Sequence, residues 1–217
     1  MEATRPLFLM LSRTGTGIGK TIRLFTRYDY NHVSLSLDPH FRRWVSFARY
    51  AQGVPLAGGF VNESPERYFS SGGPIQVKIF RIDIPLERYR KLKVLFSQAG
   101  QNECGLIYNT LSALVTPFGL QVPIAGAYTC LEFADTILEE SHGSIRALDI
   151  CHQGQLIYEG DLRDLVSDTG IRNDRFFRHR GFLKGSLDTT WHFARLLGRM
   201  PLRHGSDYLS AVLHQPL

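Results

Sequence analysis

The chain has 217 residues, 43% hydrophobic and 21% charged, with a net charge of +5. This balance excludes a disordered or fibrous chain and supplies enough apolar material for a core. Three cysteines, Cys104, Cys130 and Cys151, are too few for a disulfide framework and show no CxxC spacing, so no zinc site, other metal or cofactor is expected.

No apolar run reaches the roughly 18 residues needed to span a bilayer. Pro6–Leu11 is too short for a signal h-region and lacks a small-residue cleavage site, so a cytoplasmic protein is expected. The charge is uneven. From Asp168 to Leu217 there are eight Lys/Arg against four Asp, which holds +4 of the +5. The first 167 residues are nearly neutral, so neither a basic catalytic surface nor a nucleic-acid partner is expected.

In chain order, Leu7–Leu11 reads as a buried strand. Ser12 to Thr21 is glycine-rich, but the P-loop pattern Gly-x4-Gly-Lys-[Ser/Thr] requires glycine where Thr14 stands, which argues against an NTPase. A short helix is predicted over Thr21–Phe25. From His32 to Asp38 the alternation is strict. Val33, Leu35 and Leu37 face one way, and His32, Ser34 and Ser36 the other. Asp38-Pro39-His40 makes a turn, and Phe41–Ala48 returns as a second strand. A three-residue loop pairs Leu37 with Phe41 and puts His32 opposite Ser46, with Arg43 the misfit on the core face.

Pro55–Phe69 reads as a loop rimming a cleft, Ile75–Ile84 as a strand and Pro85–Gln98 as an amphipathic helix. A second helix runs from near Tyr108 to Pro117, and Leu156–Gly160 is a last strand. A boundary is placed near 168, giving a domain over 1–167 and a basic, partly helical extension over 168–217. In the extension Asp188 caps a helix to about Arg199. Its stripe of Trp191, Phe193, Ala194, Leu196, Leu197 and Met200 either packs on the domain or docks on an anionic membrane surface.

The stretch with the clearest chemistry is Tyr128–Leu138. Thr129 with Glu132 three residues on forms a capping box, apolar residues recur at Leu131, Ala134 and Leu138, and Gly143 is a natural stop. Cys130 then sits on the first turn, where free N–H groups and the helix dipole favour a thiolate. A nucleophilic thiol needs a base, and His32 stands on the polar face of its strand. The other histidines fall in turns, termini or the tail and are read as ordinary surface or hydrogen-bonded residues.

Together, YNHVSLSLD and, far downstream, YTCLEFADTIL resemble the permuted papain-like cysteine hydrolases. This is the NlpC-type superfamily in reversed order, which includes the lecithin-retinol-acyltransferase-like enzymes. The opening LSRTGTGIGKTIRLFTRYDYNHVSLSLD and the closing LIYEGDL carry the same resemblance, over about residues 7–165. It implies an α+β, circularly permuted papain-like fold, with an antiparallel barrel-like sheet packed on a helix that carries the cysteine at its N-terminus. It also implies Cys130 as nucleophile, His32 as base and a third polar residue on the next strand, where the register puts Ser46. The family's small polar residue after the cysteine is here Leu131. Tyr28, Asn31 and Tyr128 are expected to line the substrate cleft.

The expected activity is cleavage of an amide bond through an acyl-enzyme, as a peptidase or amidase. One alternative is an acyltransferase, or a lipid-directed thioesterase or esterase, on the same scaffold. The other is a binding module without catalysis. The substrate is a small molecule, a peptide or a lipid-like compound, with peripheral membrane contact through the basic tail, and the oligomeric state stays open.

Overall fold

The structure, a computed structural model, describes residues 3–15, 23–24, 26–52, 54, 56–70, 72–101, 105–118, 120–172, 174–178, 182–200, 209 and 213. The glycine-rich stretch over 16–20, most of the short helix expected after it, and Cys104 lie outside these residues.

Strand β1 (Thr4–Ser12) is paired along its length. On one side it meets β2 (His32–Ser36), on the other β5 (Gln76–Pro85), both antiparallel. The remaining strands are β3 (Trp44–Arg49), β4 (Gly58–Glu63), β6 (Ile107–Tyr108), β7 (Ala127–Tyr128) and β8 (Leu156–Asp161). They complete one eight-stranded sheet in the order β7-β6-β4-β3-β2-β1-β5-β8. The helices are α1 (Pro65–Phe69), α2 (Leu86–Ser97), α3 (Thr110–Val115), α4 (Cys130–Leu138), α5 (Ile145–His152) and α6 (Phe182–Arg199). The fold is therefore α+β. The sheet is mixed rather than wholly antiparallel, because β6 and β7 run parallel, and among the described residues no pairing joins β7 to β8 to close it.

Period-2 alternation puts Leu7, Leu9 and Leu11 of β1 on one face, in a core with Leu92, Phe133 and Ile137 of the helices. Phe8 and Met10 point to the opposite face and join Trp44, Tyr68, Val77 and Ile79. The sheet is thus covered on both sides, and the "polar" face of β2 is buried: Ser34 and Ser36 are at most 1% exposed.

The β2–β3 hairpin differs from the expected register. Leu35 pairs with Val45, two residues away from the pairing that opposed His32 to Ser46. A two-residue shift keeps every side chain on its expected face. It gives Leu35 a valine partner instead of Arg43, whose guanidinium instead donates to Asn62 Oδ1 at 2.9 Å. The turn is wider than three residues because Asp38 accepts from the backbone N–H groups of His40 and Arg42, at 2.9 and 3.0 Å.

The stretch 55–69, expected as loop, contains β4 and α1. Gly58 opens β4 because a Cβ there would collide with the Ala48 carbonyl of β3. Pro65 at the first turn of α1, after Ser64, follows the preference for proline at helix starts. Helix α5, N-capped by Ser144, was not expected either.

Helix α6 begins at Phe182, so Asp188 lies inside it rather than capping it. Past residue 168, Phe176, His192 and Leu196 pack on α1 and the sheet. Leu196 is fully buried with Ile107, Ile124 and Ala127, His192 Nε2 donates to the Tyr108 carbonyl at 2.9 Å, and the Arg67 guanidinium lies 4.7 Å over the Phe176 ring. No described helix is long and apolar enough to cross a membrane.

Candidate active site

Helix α4 positions the cysteine. Thr129 Oγ1 accepts from the Glu132 N–H at 3.1 Å, and Glu132 Oε2 accepts from the Thr129 N–H at 2.6 Å, the reciprocal pair of a capping box. Ser112 Oγ donates to the other Glu132 oxygen at 2.7 Å, which ties the helix start to α3. Phe133 anchors the helix among Phe47, Phe60 and Phe96, with ring centroids 5.3–6.3 Å apart. The helix ends at Glu139 in a left-handed conformation, φ 57°, before the expected stop at Gly143. Cys130, the first helical residue, is 8% exposed, and its own N–H has no intrahelical acceptor.

His32, the first residue of β2, stands beside this thiol: the Cys130 side chain is close enough to the imidazole to raise its proton affinity. The other side of the ring is held by Glu63. Nε2 lies 3.0 Å from Glu63 Oε2 and 3.2 Å from Oε1. An imidazole, a carboxylate and a thiol, from chain positions 32, 63 and 130, are thereby brought together.

Glu63 is the residue sequence reasoning missed. It ends β4, and its Oε2 also accepts from Ser46 Oγ at 2.7 Å, Ser34 Oγ at 2.8 Å and Tyr68 Oη at 2.9 Å. The Arg67 guanidinium stands 3.9 Å from Oε1. Ser46 is therefore not the residue that orients His32; it orients the carboxylate that does. Extending the Leu35–Val45 pairing puts Ser46 opposite Ser34, and these two small side chains leave room for Glu63 to reach across β3 to β2. The available signal was the strand-prone pair Phe60-Val61 ahead of Ser64-Pro65-Glu66, which the glycines at 58 and 59 obscured.

The electrostatics follow from this packing. Burial alone would raise the Glu63 carboxyl, but the charge and hydrogen bond of His32, with Arg67 and Ser46, hold it well below the usual carboxylate range. Burial pulls the His32 imidazole down, but the Glu63 charge together with the Cys130 thiol overcomes it and pushes His32 up to about 10. Burial and Glu63 raise Tyr68 far above the ordinary phenol value, so it remains a neutral donor. Tyr108, beside Cys130 and Glu132, is raised by its burial and by both neighbours.

The expected cleft residues divide. Tyr28 donates its hydroxyl to Asp149 on α5, which also accepts from Lys78 Nζ at 2.8 Å. Asn31 uses its amide to fasten the chain after β1, accepting from the Thr14 N–H at 2.8 Å and donating to Thr14 Oγ1 at 2.7 Å. The polar ends of both are thus committed away from His32. Tyr128 is buried with its ring 5.2 Å from Phe47, and its hydroxyl has no partner among the described residues. A cavity of about 710 Å³ opens on the Glu63 side, between Arg43, Asn62, Arg67 and Gln101, without Cys130 or His32 in its lining.

Scans against protein-family models, curated proteins and solved structures return no match to this chain.

Proposed function

We propose that the protein is a thiol hydrolase that cleaves an amide bond through Cys130, His32 and Glu63, on a circularly permuted papain-like scaffold. The observation that carries this reading is His32, held by a buried carboxylate at Nε2 and influenced by the neighbouring Cys130 thiol. Cys130 Sγ attacks the carbonyl carbon while its proton rests on His32. The oxyanion takes the Cys130 N–H as donor. His32 protonates the leaving nitrogen, the C–N bond breaks, and a thioester remains on Cys130. Water, deprotonated by His32, adds to the thioester, and its collapse releases a carboxylic acid and restores the thiol. Glu63 keeps the imidazole oriented and offsets its charge throughout. A buried carboxylate–imidazole pair beside a thiol is more typical of a catalytic site than of a binding module.

The lipid-directed alternative draws on α6. Its outward face exposes Leu187 (70%) and Trp191 (71%) beside Arg195. Hydrolysis rates on matched amide and ester substrates, with and without vesicles containing an anionic phospholipid, test both readings. Amide cleavage that is lost in Cys130→Ser and indifferent to vesicles supports the first. Ester or acyl-transfer activity stimulated by vesicles supports the second. The absence of any Cys130-dependent acylation by activated amides, esters or thioesters would defeat both.

A further inference from the structure

We infer that Glu140, His142, Cys151 and His152 form a zinc site, separate from the Cys130–His32–Glu63 centre. Glu140 and His142 lie in the connection from α4 to α5, and Cys151 and His152 end α5. Each offers one ligand atom, and the four atoms lie within 4.8 Å of one another. Tetrahedral zinc, with bonds of about 2.0–2.3 Å, needs ligand atoms roughly 3.3–3.8 Å apart. Glu140 Oε2 is already 3.0 Å from His152 Nε2 and 3.4 Å from His142 Nε2. Small side-chain adjustments complete the sphere.

The second observation is how the two imidazoles are held. His142 Nδ1 faces Asp135 Oδ1 at 2.7 Å, and His152 Nδ1 faces Gln155 Oε1 at 2.5 Å. Asp135 is itself fixed by the His142 backbone N–H at 2.9 Å. Acceptors on Nδ1 keep the proton there and turn each Nε2 lone pair inward, the outer-shell arrangement typical of metal-ligating histidines. Both Nε2 atoms converge on the same carboxylate oxygen. In neutral imidazoles that arrangement sets lone pairs against one another, and a cation at the convergence point relieves it. The two histidine side chains are only 9% and 5% exposed, while Cys151 is exposed and opens the site to solvent.

The donor set selects the ion. Two imidazoles, a thiolate and a carboxylate suit zinc and not magnesium or calcium, which take oxygen ligands. Four protein ligands close the sphere, which makes the site structural rather than catalytic. The metal would fasten the C-terminal end of α4 to that of α5. Cys130 stands at the other end of this nine-residue helix, about 13 Å long, so zinc here braces the helix that presents the nucleophile.

The test uses the full chain carrying Cys130→Ser, so that metal captured at the hydrolytic centre is not counted. After chelator treatment the protein is dialysed against zinc and its content measured, and cobalt is substituted for spectroscopy. The expected result is one zinc per chain, a thiolate-to-cobalt charge-transfer band, and a melting temperature raised by zinc. Cys151→Ser, at an exposed position, should leave the metal-free melting temperature unchanged while abolishing the charge-transfer band. Asp135→Asn should weaken zinc about 10–100-fold. Failure to retain stoichiometric zinc, or an identical cobalt spectrum in Cys151→Ser, overturns the assignment and leaves protons, not a metal, holding the cluster together.

Discussion

Glu63 Oε2 lies 3.0 Å from His32 Nε2 although the two residues sit on strands separated by β3, and the carboxylate reaches the imidazole past Ser46, which donates to it at 2.7 Å. Neighbouring strands lie about 4.8 Å apart, so a side chain can act two strands away only if the strand between presents something small. Ser46 and Ser34 meet that condition and also supply hydroxyl donors.

Replacing Glu63 with Gln keeps the shape and removes the charge. Turnover of any Cys130-dependent substrate should fall by about 10²–10⁴-fold, the range expected when a catalytic base loses its orienting partner. Circular dichroism checks that the fold survives. An unchanged kcat would remove Glu63 from the mechanism.

Ser46 acts through Glu63, and Ser46→Ala should lower turnover about tenfold or less, since one hydrogen bond is worth about 1 kcal/mol. Because its effect passes through the carboxylate, adding Ser46→Ala to Glu63→Gln should cost little more than Glu63→Gln alone. Additive losses in this double-mutant cycle would show that Ser46 works independently.

Cys130 should be alkylated by iodoacetamide at neutral pH faster than Cys151, although Cys130 is the buried one of the two, because it alone stands at a helix N-terminus, beside the carboxylate-held imidazole of His32. His32→Ala should slow Cys130 and leave Cys151 unchanged. Peptide mass mapping over time reads both rates, and faster labelling of Cys151 would contradict the site.

The His32–Glu63 pair also sets a pH profile for stability. Glu63 is lowered from its unfolded value of 4.5, so its contribution is complete above that pH and disappears as pH falls through the depressed folded value. His32 is raised from 6.5 to about 10, so its contribution is complete below 6.5 and is lost as pH rises toward 10. The pair therefore stabilises most between pH 4.5 and 6.5. Melting temperatures of the parent and of Glu63→Gln should differ most in that window and converge on the alkaline side. A constant difference up to pH 10 would argue against the pair.

Leu196→Ala on α6 should destabilise the protein by about 2–5 kcal/mol, the cost of emptying a fully buried leucine site. Trp191→Ala, on the exposed side of the same helix, should change stability by less than about 0.5 kcal/mol. Urea denaturation measures both. Equal, small effects would mean that α6 is not packed as described.

The sequence by itself marked most of the long elements, though not β4, α1 or α5, and pointed to two of the three residues in the proposed centre. The Cys130 helix was legible because a capping box and an apolar stripe are local signals, fixed within ten residues. The β2 strand was legible because its alternation has period 2, and that same period protected the assignment of faces when the hairpin register proved to be shifted by two residues. Only the tertiary structure decided what crosses between elements. Glu63 became the partner of His32 through the pairing of β2, β3 and β4, and Gly58, which lets β4 approach β3, helped make its segment read as loop. His142 and His152 looked ordinary in sequence because they lie ten residues apart, one before α5 and one at its end. They face one carboxylate oxygen only because the turn after α4 and the end of α5 fold onto each other. Periodicity reports which way a side chain points, whereas its partner depends on long-range contacts, which leave no local mark on the chain.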